Sequence, residues 1–448
     1  MTKITIGRLG LGVAGAILGL ASPASAAGPF DFHSVTPCRV VDTRSVSSGG
    51  PALVTGNNGP YVLKDKCGIP AEAKAVSVNV TVVTPTADGF LTLFPGGASV
   101  PPPTSTINYA AGQVRANSAI IPLGTAGDIL VACGQGSGTV HMIIDVNGYY
   151  RSPAPIPVGT NPNFVAVTPD GTKAFVTNST NPGTVTVVSL ATRTVVATIP
   201  VGLYPNGIAI TPDGTKALVA NSIGASISVI NVSTNAVTNT IPVPCGGTTL
   251  YDIAITPDST RAVLGDLSAT CTQTGLDVVT ISSGAVSFVN FGGNGVFGVA
   301  VTTDGNSVLT TEGALGTSIK RMTLSNSAIT PIPGTSSSFG VAVTPDGASA
   351  LVASGPGETI KRISLSSNSV TGTIPFSSSQ DGHNIAVTPD GLKAVVCGGF
   401  NVGVLSLANN TVLATFPSTG SNVAITPDGK TALVTETFNG LLRIVPIP

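Results

Sequence analysis

Beyond residue 160 the chain repeats one pattern seven times: a short apolar run, a Thr-Pro-Asp-Gly turn or a near copy, then a second apolar run. It reads PNFVAVTPDGTKAFVTN from Pro162 and PNGIAITPDGTKALVAN from Pro205. The turn aspartates are Asp170, Asp213, Asp258, Asp304, Asp346, Asp390 and Asp428, spaced 43, 45, 46, 42, 44 and 38 residues apart. A period of about 40 to 45 residues is the length of one four-stranded propeller blade, and a single blade cannot bury both of its faces. The pattern therefore predicts a ring of seven blades over residues 153–448.

Each repeat carries its own strand signals. Val165-Ala166-Val167 and Ile208-Ala209-Ile210 are continuous apolar runs, as expected of inner strands covered on both faces. In the turn, Pro presets φ, Asp bonds the backbone downstream of it, and Gly accepts positive φ without steric cost. Thr303 stands in place of the Pro in one copy and Ser259 in place of the Gly in another. Alternating strands follow, such as Thr184 to Val188, and Thr194 to Ile199 closes the first unit. A catalytic Asp would not be copied seven times, so these aspartates read as turn residues.

These repeats resemble the YVTN family of bacterial β-propellers, whose tetrapeptide is seen here as Phe175-Val176-Thr177-Asn178. The resemblance covers about residues 153 to 448 and implies a seven-bladed propeller of the secreted or surface-layer kind. Ile156-Pro157-Val158-Gly159 matches the blade ending Ile199-Pro200-Val201-Gly202 but precedes the first full repeat. The final repeat stops after its third strand, Leu441 to Val445. The early segment is therefore expected to supply the fourth strand of the seventh blade and hide the ring's edges.

Residues 29–151 form a second module, a β-sandwich-like domain. Alternating strands over Ala75 to Val83, Ala116 to Pro122 and Val140 to Val146 are broken by Gly/Pro turns. Its segments FHSVTPCRVVDTR from Phe32 and HMIIDVNGYY from His141 resemble an uncharacterised domain of exported actinobacterial proteins, which implies a surface-related setting. Asp42, Arg44 and Asp145 are read as an ion pair that pins strand ends in a chain poor in charge.

The start of the chain reads as a secretory signal over residues 1–26. Lys3 and Arg8 precede an apolar Leu9 to Leu20, and Ala24-Ser25-Ala26 is a small-residue cleavage site. No other stretch is apolar for long enough to span a bilayer. Removal of the signal leaves 18 basic against 21 acidic residues and a net charge of about −3. Charged residues are only 9% of the chain, so there is no basic patch for nucleic acid.

Six cysteines suit an oxidising compartment. Cys38 with Cys67, and Cys245 with Cys271, are expected as disulfides. The second pair joins two loops predicted on one face of the third blade. Cys133 is left over, and Cys397 reads as a small apolar residue of an inner strand. No haem, zinc, phosphate-loop or nucleophile-elbow motif is present.

Register nominates the functional face. Seven residues before each turn Asp the chain enters its first strand at the channel mouth, at Asn163, Asn206, Tyr251, Phe297, Phe339, His383 and Ser421. One residue later stand Phe164, Gly207, Asp252, Gly298, Gly340, Asn384 and Asn422. Eight residues after the Asp, the second strand returns to that face at Asn178, Asn221, Asp266, Glu312, Ser354, Gly398 and Glu436. The expected ligand site is Tyr251, Asp252, Asp266, Glu312, His383 and Glu436, a funnel for a polar ligand or for Ca2+ held by hard oxygens. An exported binding or scaffold protein, meeting a protein or cell-wall glycan and carrying no catalysis of its own, is the first functional reading. A hydrolase resembling the seven-bladed lactonases is the alternative.

Overall fold

The computed structural model describes residues 30–448 except 48, 244–248, 268–273, 292–294, 313–318, 336–337, 355–358, 377–381 and 399, with backbone only at 338, 354, 382 and 383. The signal segment and the Cys245–Cys271 pair lie outside the described residues. The chain divides into two compact units, His33–Tyr150 and Arg151–Pro448, the second also taking in Gly28–Phe32.

The first unit is a pair of four-stranded antiparallel sheets. One has the order Asp31–Asp42, His141–Arg151, Ala75–Val83, Arg115–Pro122, and the other Gly56–Val62, Asp128–Gln135, Gly89–Pro95, Ile107–Tyr109. Alternation along Ala75–Val83 sends Val76, Val78, Val80 and Val82 into one core with Leu91, Leu93 and Val131 of the facing sheet. Cys38 and Cys67 are bonded. Asp42 and Asp145 do not pair with one another. Arg44 Nη2 reaches Asp42 at 2.7 Å, and Arg39 Nε reaches Asp145 at 2.9 Å. The Arg44 bond, opposed by burial, holds the Asp42 carboxyl down at about 2.

The second unit is a β-propeller of seven four-stranded antiparallel sheets. In chain order the blades span 162–200, 205–242, 250–290, 299–332, 338–375, 382–417 and 420–446. The first strands line the axis, each against the first strand of the next blade, and Gly420–Ile425 against Pro162–Val167 completes the circle. Ile156–Pro157 supplies the fourth strand of the seventh blade, where Ile156 pairs with Leu442 and Pro157 with Leu441. Val158 N adds a 3.0 Å bond to Gly440 O. Closure by a strand from the opposite end of the unit covers the outer edge of the third strand, Leu441–Pro446.

Each turn is held by its own threonine. Thr168 Oγ1 donates to Asp170 Oδ1 at 2.6 Å, and the same bond recurs at Thr211–Asp213, Thr256–Asp258, Thr302–Asp304, Thr344–Asp346, Thr388–Asp390 and Thr426–Asp428. These hydroxyls, with backbone N–H groups such as Thr172 N, hold the turn carboxyls below their usual range. Gly171, at φ 69°, also brings its turn against Pro427 of the preceding one, where an added Cβ would stand 3.4 Å from Pro427 Cδ. Ser259 holds the same left-handed backbone at φ 59° without glycine's freedom, and its Oγ accepts a 3.2 Å bond from Asp213 N of the neighbouring turn.

Candidate functional site

The threonine seven residues after the turn Asp is a link between blades. Thr177 Oγ1 donates to Asn206 O at 2.8 Å, Thr311 Oγ1 to Phe339 O at 2.7 Å, and Thr435 Oγ1 to Asn163 O at 2.6 Å, the last across the ring closure. Each bond fixes the carbonyl of a residue at the entry to the next blade and so ties adjacent blades together at the channel mouth.

The residue after that threonine works within its own blade. Asn178 Nδ2 donates to Thr186 Oγ1 at 2.9 Å and Asn221 Nδ2 to Ser228 Oγ at 3.0 Å, in both cases on the adjacent third strand. Glu312 forms an ion pair with Lys320 at the same two positions of blade four. Glu436 accepts a 2.6 Å bond from Arg443 Nε in blade seven, with Ser418 Oγ at 2.7 Å. Burial pushes the Glu436 carboxyl up, but those donors outweigh it and hold the group below its usual range.

Blade three breaks the rule by facing Asp266 with a second acid, Asp277. Burial, and then the nearby charge of Asp266, push the Asp277 carboxyl up to about 7, and Asp277 Oδ2 is buried without a hydrogen-bond partner.

The six residues nominated by register therefore divide. Tyr251 and Asp252 stand at the mouth, whereas Asp266, Glu312 and Glu436 are buried between the second and third strands of three different blades. Alternation explains the division. Thr435 and Glu436 are neighbours on one strand, so if the first faces the next blade's opening residue, the second faces elsewhere. The side chain of His383 lies outside the described residues. Among the described residues, no three of His, Cys, Asp and Glu meet in a way that could hold a metal ion.

What the mouth does assemble is aromatic. Phe164, Tyr251, Phe297 and Phe339 form an arc of edge-to-face contacts, with ring centroids 5.7, 5.2 and 5.5 Å apart and planes inclined at 85°, 64° and 81°. They line a recess of 320 Å³ whose other walls are Asn163, Asn384, Ser421, Thr437 and Phe438. Asp252 keeps some surface toward this recess, yet the protein packs around it closely enough that desolvation pushes its carboxyl up to about 7. Two amides oppose that shift: Ile253 N reaches Oδ1 at 2.8 Å and Val299 N, from the next blade, reaches Oδ2 at 3.1 Å. Gly207 and Gly298 occupy the position of Asp252 in blades two and four. A Cβ there would stand 2.7 Å from Tyr251 O and 2.2 Å from Phe339 O, so the neighbouring blade's backbone excludes a side chain.

This face also exposes apolar side chains on its loops. Ile223, Phe400 and Phe438, each ten residues after its turn Asp, are 57%, 55% and 89% exposed on the connections from second to third strand. Leu203 and Tyr204 are also exposed where the chain enters blade two. Register places these exposed apolar residues of blades two, six and seven on the face of the mouth, visible in the sequence only as Ile and Phe recurring at one offset from the turn.

No protein-family model matches the chain, and no curated protein matches it. Among solved structures it is similar to a chain of Kuenenia stuttgartiensis hydrazine synthase, with a TM-score of 0.56 and 19% identity, over 64% of this chain and 96% of that one. At that identity the likeness concerns the fold alone, a β-propeller scaffold.

Proposed function

We propose that this chain is an exported binding or scaffold protein of the cell exterior, with the channel-mouth face of its propeller as the interaction surface and no catalysis of its own. The observation that carries this reading is the aromatic recess at the mouth, with Phe438 on its wall, together with the exposed Leu203, Tyr204, Ile223 and Phe400 on connections of the same face. Apolar side chains gathered on the loops of one face of a repeat fold mark a surface that meets a partner. A cell-wall glycan or surface protein is the partner class.

Several finer assignments belong to the same proposal. Residues 1–26 are the signal peptide, 29–151 the β-sandwich-like domain and 153–448 the propeller. The repeats belong with the YVTN type, on the strength of the tetrapeptide threonine and asparagine bonded as described above. The bonded Cys38–Cys67 pair is compatible with export, and among the described residues no helix is long and apolar enough to cross a membrane.

The test is co-sedimentation of the mature chain with isolated cell walls, beside a Phe297→Ala/Phe339→Ala variant that removes half of the arc. The reading predicts retention of the wild-type chain and loss of most retention in the variant at equal melting temperature. Equal sedimentation of both, or of neither, would sink it. The lactonase-like alternative has one supporting observation, a carboxyl near neutrality at the mouth in Asp252, which is where a general base would stand. Turnover of a lactone that is abolished in Asp252→Asn would favour it.

A further inference from the structure

The recess has a chemistry more specific than an apolar surface. Of the described residues that line it, Asp252 alone carries a formal charge, and no Lys or Arg is among them. The opposite wall is aromatic, and Phe438 hangs over the rim with nearly its whole surface in solvent.

The structural duty of Asp252 does not require a charge. Asn422 occupies the equivalent position in blade seven, and its Oδ1 accepts a 3.2 Å bond from Val165 N of the next blade. That bond is the counterpart of the one Val299 N makes to Asp252 Oδ2 at 3.1 Å. A neutral amide therefore does this job in one blade and a carboxylate in another. The surplus at Asp252 is a negative charge, desolvated and facing ring systems whose planes turn through near right angles.

We propose that this recess binds an organic ammonium group, held against the faces of the Tyr251–Phe297–Phe339 arc and balanced by the Asp252 carboxylate. The inference rests on reading the mouth as a binding surface and names the ligand class of that same site. Aromatic faces attract a cation through the ring quadrupole, and a poorly hydrated ammonium loses little on leaving water. A metal ion is a weaker fit, because one carboxylate beside phenyl rings offers too few oxygen ligands. The groups that face Asp252 are the Tyr251 phenol and the Ile253 and Val299 amides. The side chain of His383, at the entry to blade six, lies outside the described residues.

Isothermal titration of the full mature chain tests this with four probes: choline, butylammonium, the uncharged choline analogue 3,3-dimethyl-1-butanol, and N-acetylglucosamine as a neutral sugar. At pH 8 one of the two cations should bind about tenfold more tightly than the uncharged analogue, a difference of about 1.4 kcal/mol. Preference for choline would identify a quaternary head, and preference for butylammonium a primary amine such as that of a lysine or an amino sugar. Asp252→Asn, which keeps the bond to Val299, should lose that preference with a melting temperature no lower than that of the wild type. Cation affinity should also fall between pH 8 and pH 5.5 as Asp252 gains a proton.

Binding of neither cation more tightly than the uncharged analogue would overturn the inference, as would binding of N-acetylglucosamine alone or a full cation preference in Asp252→Asn. Wall retention that still depends on Phe297 and Phe339 would in those cases leave the binding reading standing. Retention indifferent to both would remove that reading as well.

Discussion

Asp277 of the third blade faces Asp266 at the two positions where, in the seventh, Arg443 meets Glu436 at 2.6 Å. One site in the repeat thus holds polar pairs in blades one and two, ion pairs in four and seven, and two acids in three. Complementarity is solved blade by blade, because each pair is sealed from its neighbours by the packing between sheets.

The acid pair makes stability depend on pH near neutrality. The folded Asp277 titrates at about 7 while an unfolded Asp titrates at about 4. Between those values the folded state holds a proton that the unfolded state has released, so stability is full at the acid end and falls as pH rises to about 7. Asp277→Asn should make this slope shallower, leaving the share that Asp252 contributes over the same range, and at pH 8 be more stable than wild type by about 2 kcal/mol. Urea denaturation at pH 5 and pH 8 measures it, and parallel behaviour of the two proteins would refute it.

Breaking the opposite kind of pair should be costly. Glu436 is 1% exposed, so Arg443→Ala leaves its carboxylate buried without its cation and should lose about 3 kcal/mol. Glu436→Gln/Arg443→Met, which removes both charges, should recover most of that loss. The comparison is a double-mutant cycle by chemical denaturation.

Ring closure by Ile156 predicts a remote effect. Its side chain is 5% exposed and packs with Leu442 and Val165, from the last blade and the first. Ile156→Ala should cost about 3 kcal/mol, comparable with a truncation in a blade centre. Hydrogen exchange should then show faster exchange in Leu441–Pro446 than in a central blade, and uniform exchange would count against the closure role.

Thr435→Val tests the links between blades. The substitution keeps the shape but removes the donor to Asn163 O, which should cost about 1 kcal/mol. Thr177→Val, which severs the equivalent bond to Asn206 O, should cost about the same. A much smaller effect at Thr435 would mean the closure tolerates a missing donor.

Much of this protein was legible in residue order. The Thr-Pro-Asp-Gly turns at a near-constant spacing determine strand lengths, blade limits and the split seventh blade, because turn geometry and two-residue alternation are local properties. The Cys38–Cys67 bond could be expected in an exported module, although Cys133 is a third cysteine of the same module. The register also places Tyr251 and Asp252 at the mouth without any tertiary information.

Only the tertiary structure decided which side chains share a space. Register says that Asp252, Asp266, Glu312 and Glu436 approach one end of the ring, but a side chain's direction depends on its strand's pleat and on the neighbouring blade. Lys320 and Arg443 claim two of those acids from the third strand of the same blade, a pairing across a hairpin whose loop length varies. The aromatic arc is less visible still, since Phe164, Tyr251, Phe297 and Phe339 come from four blades and Phe164 sits one register position from the rest. Curvature of the ring brings each within 6 Å of the next, and curvature is set by the packing of all seven sheets rather than by any one repeat.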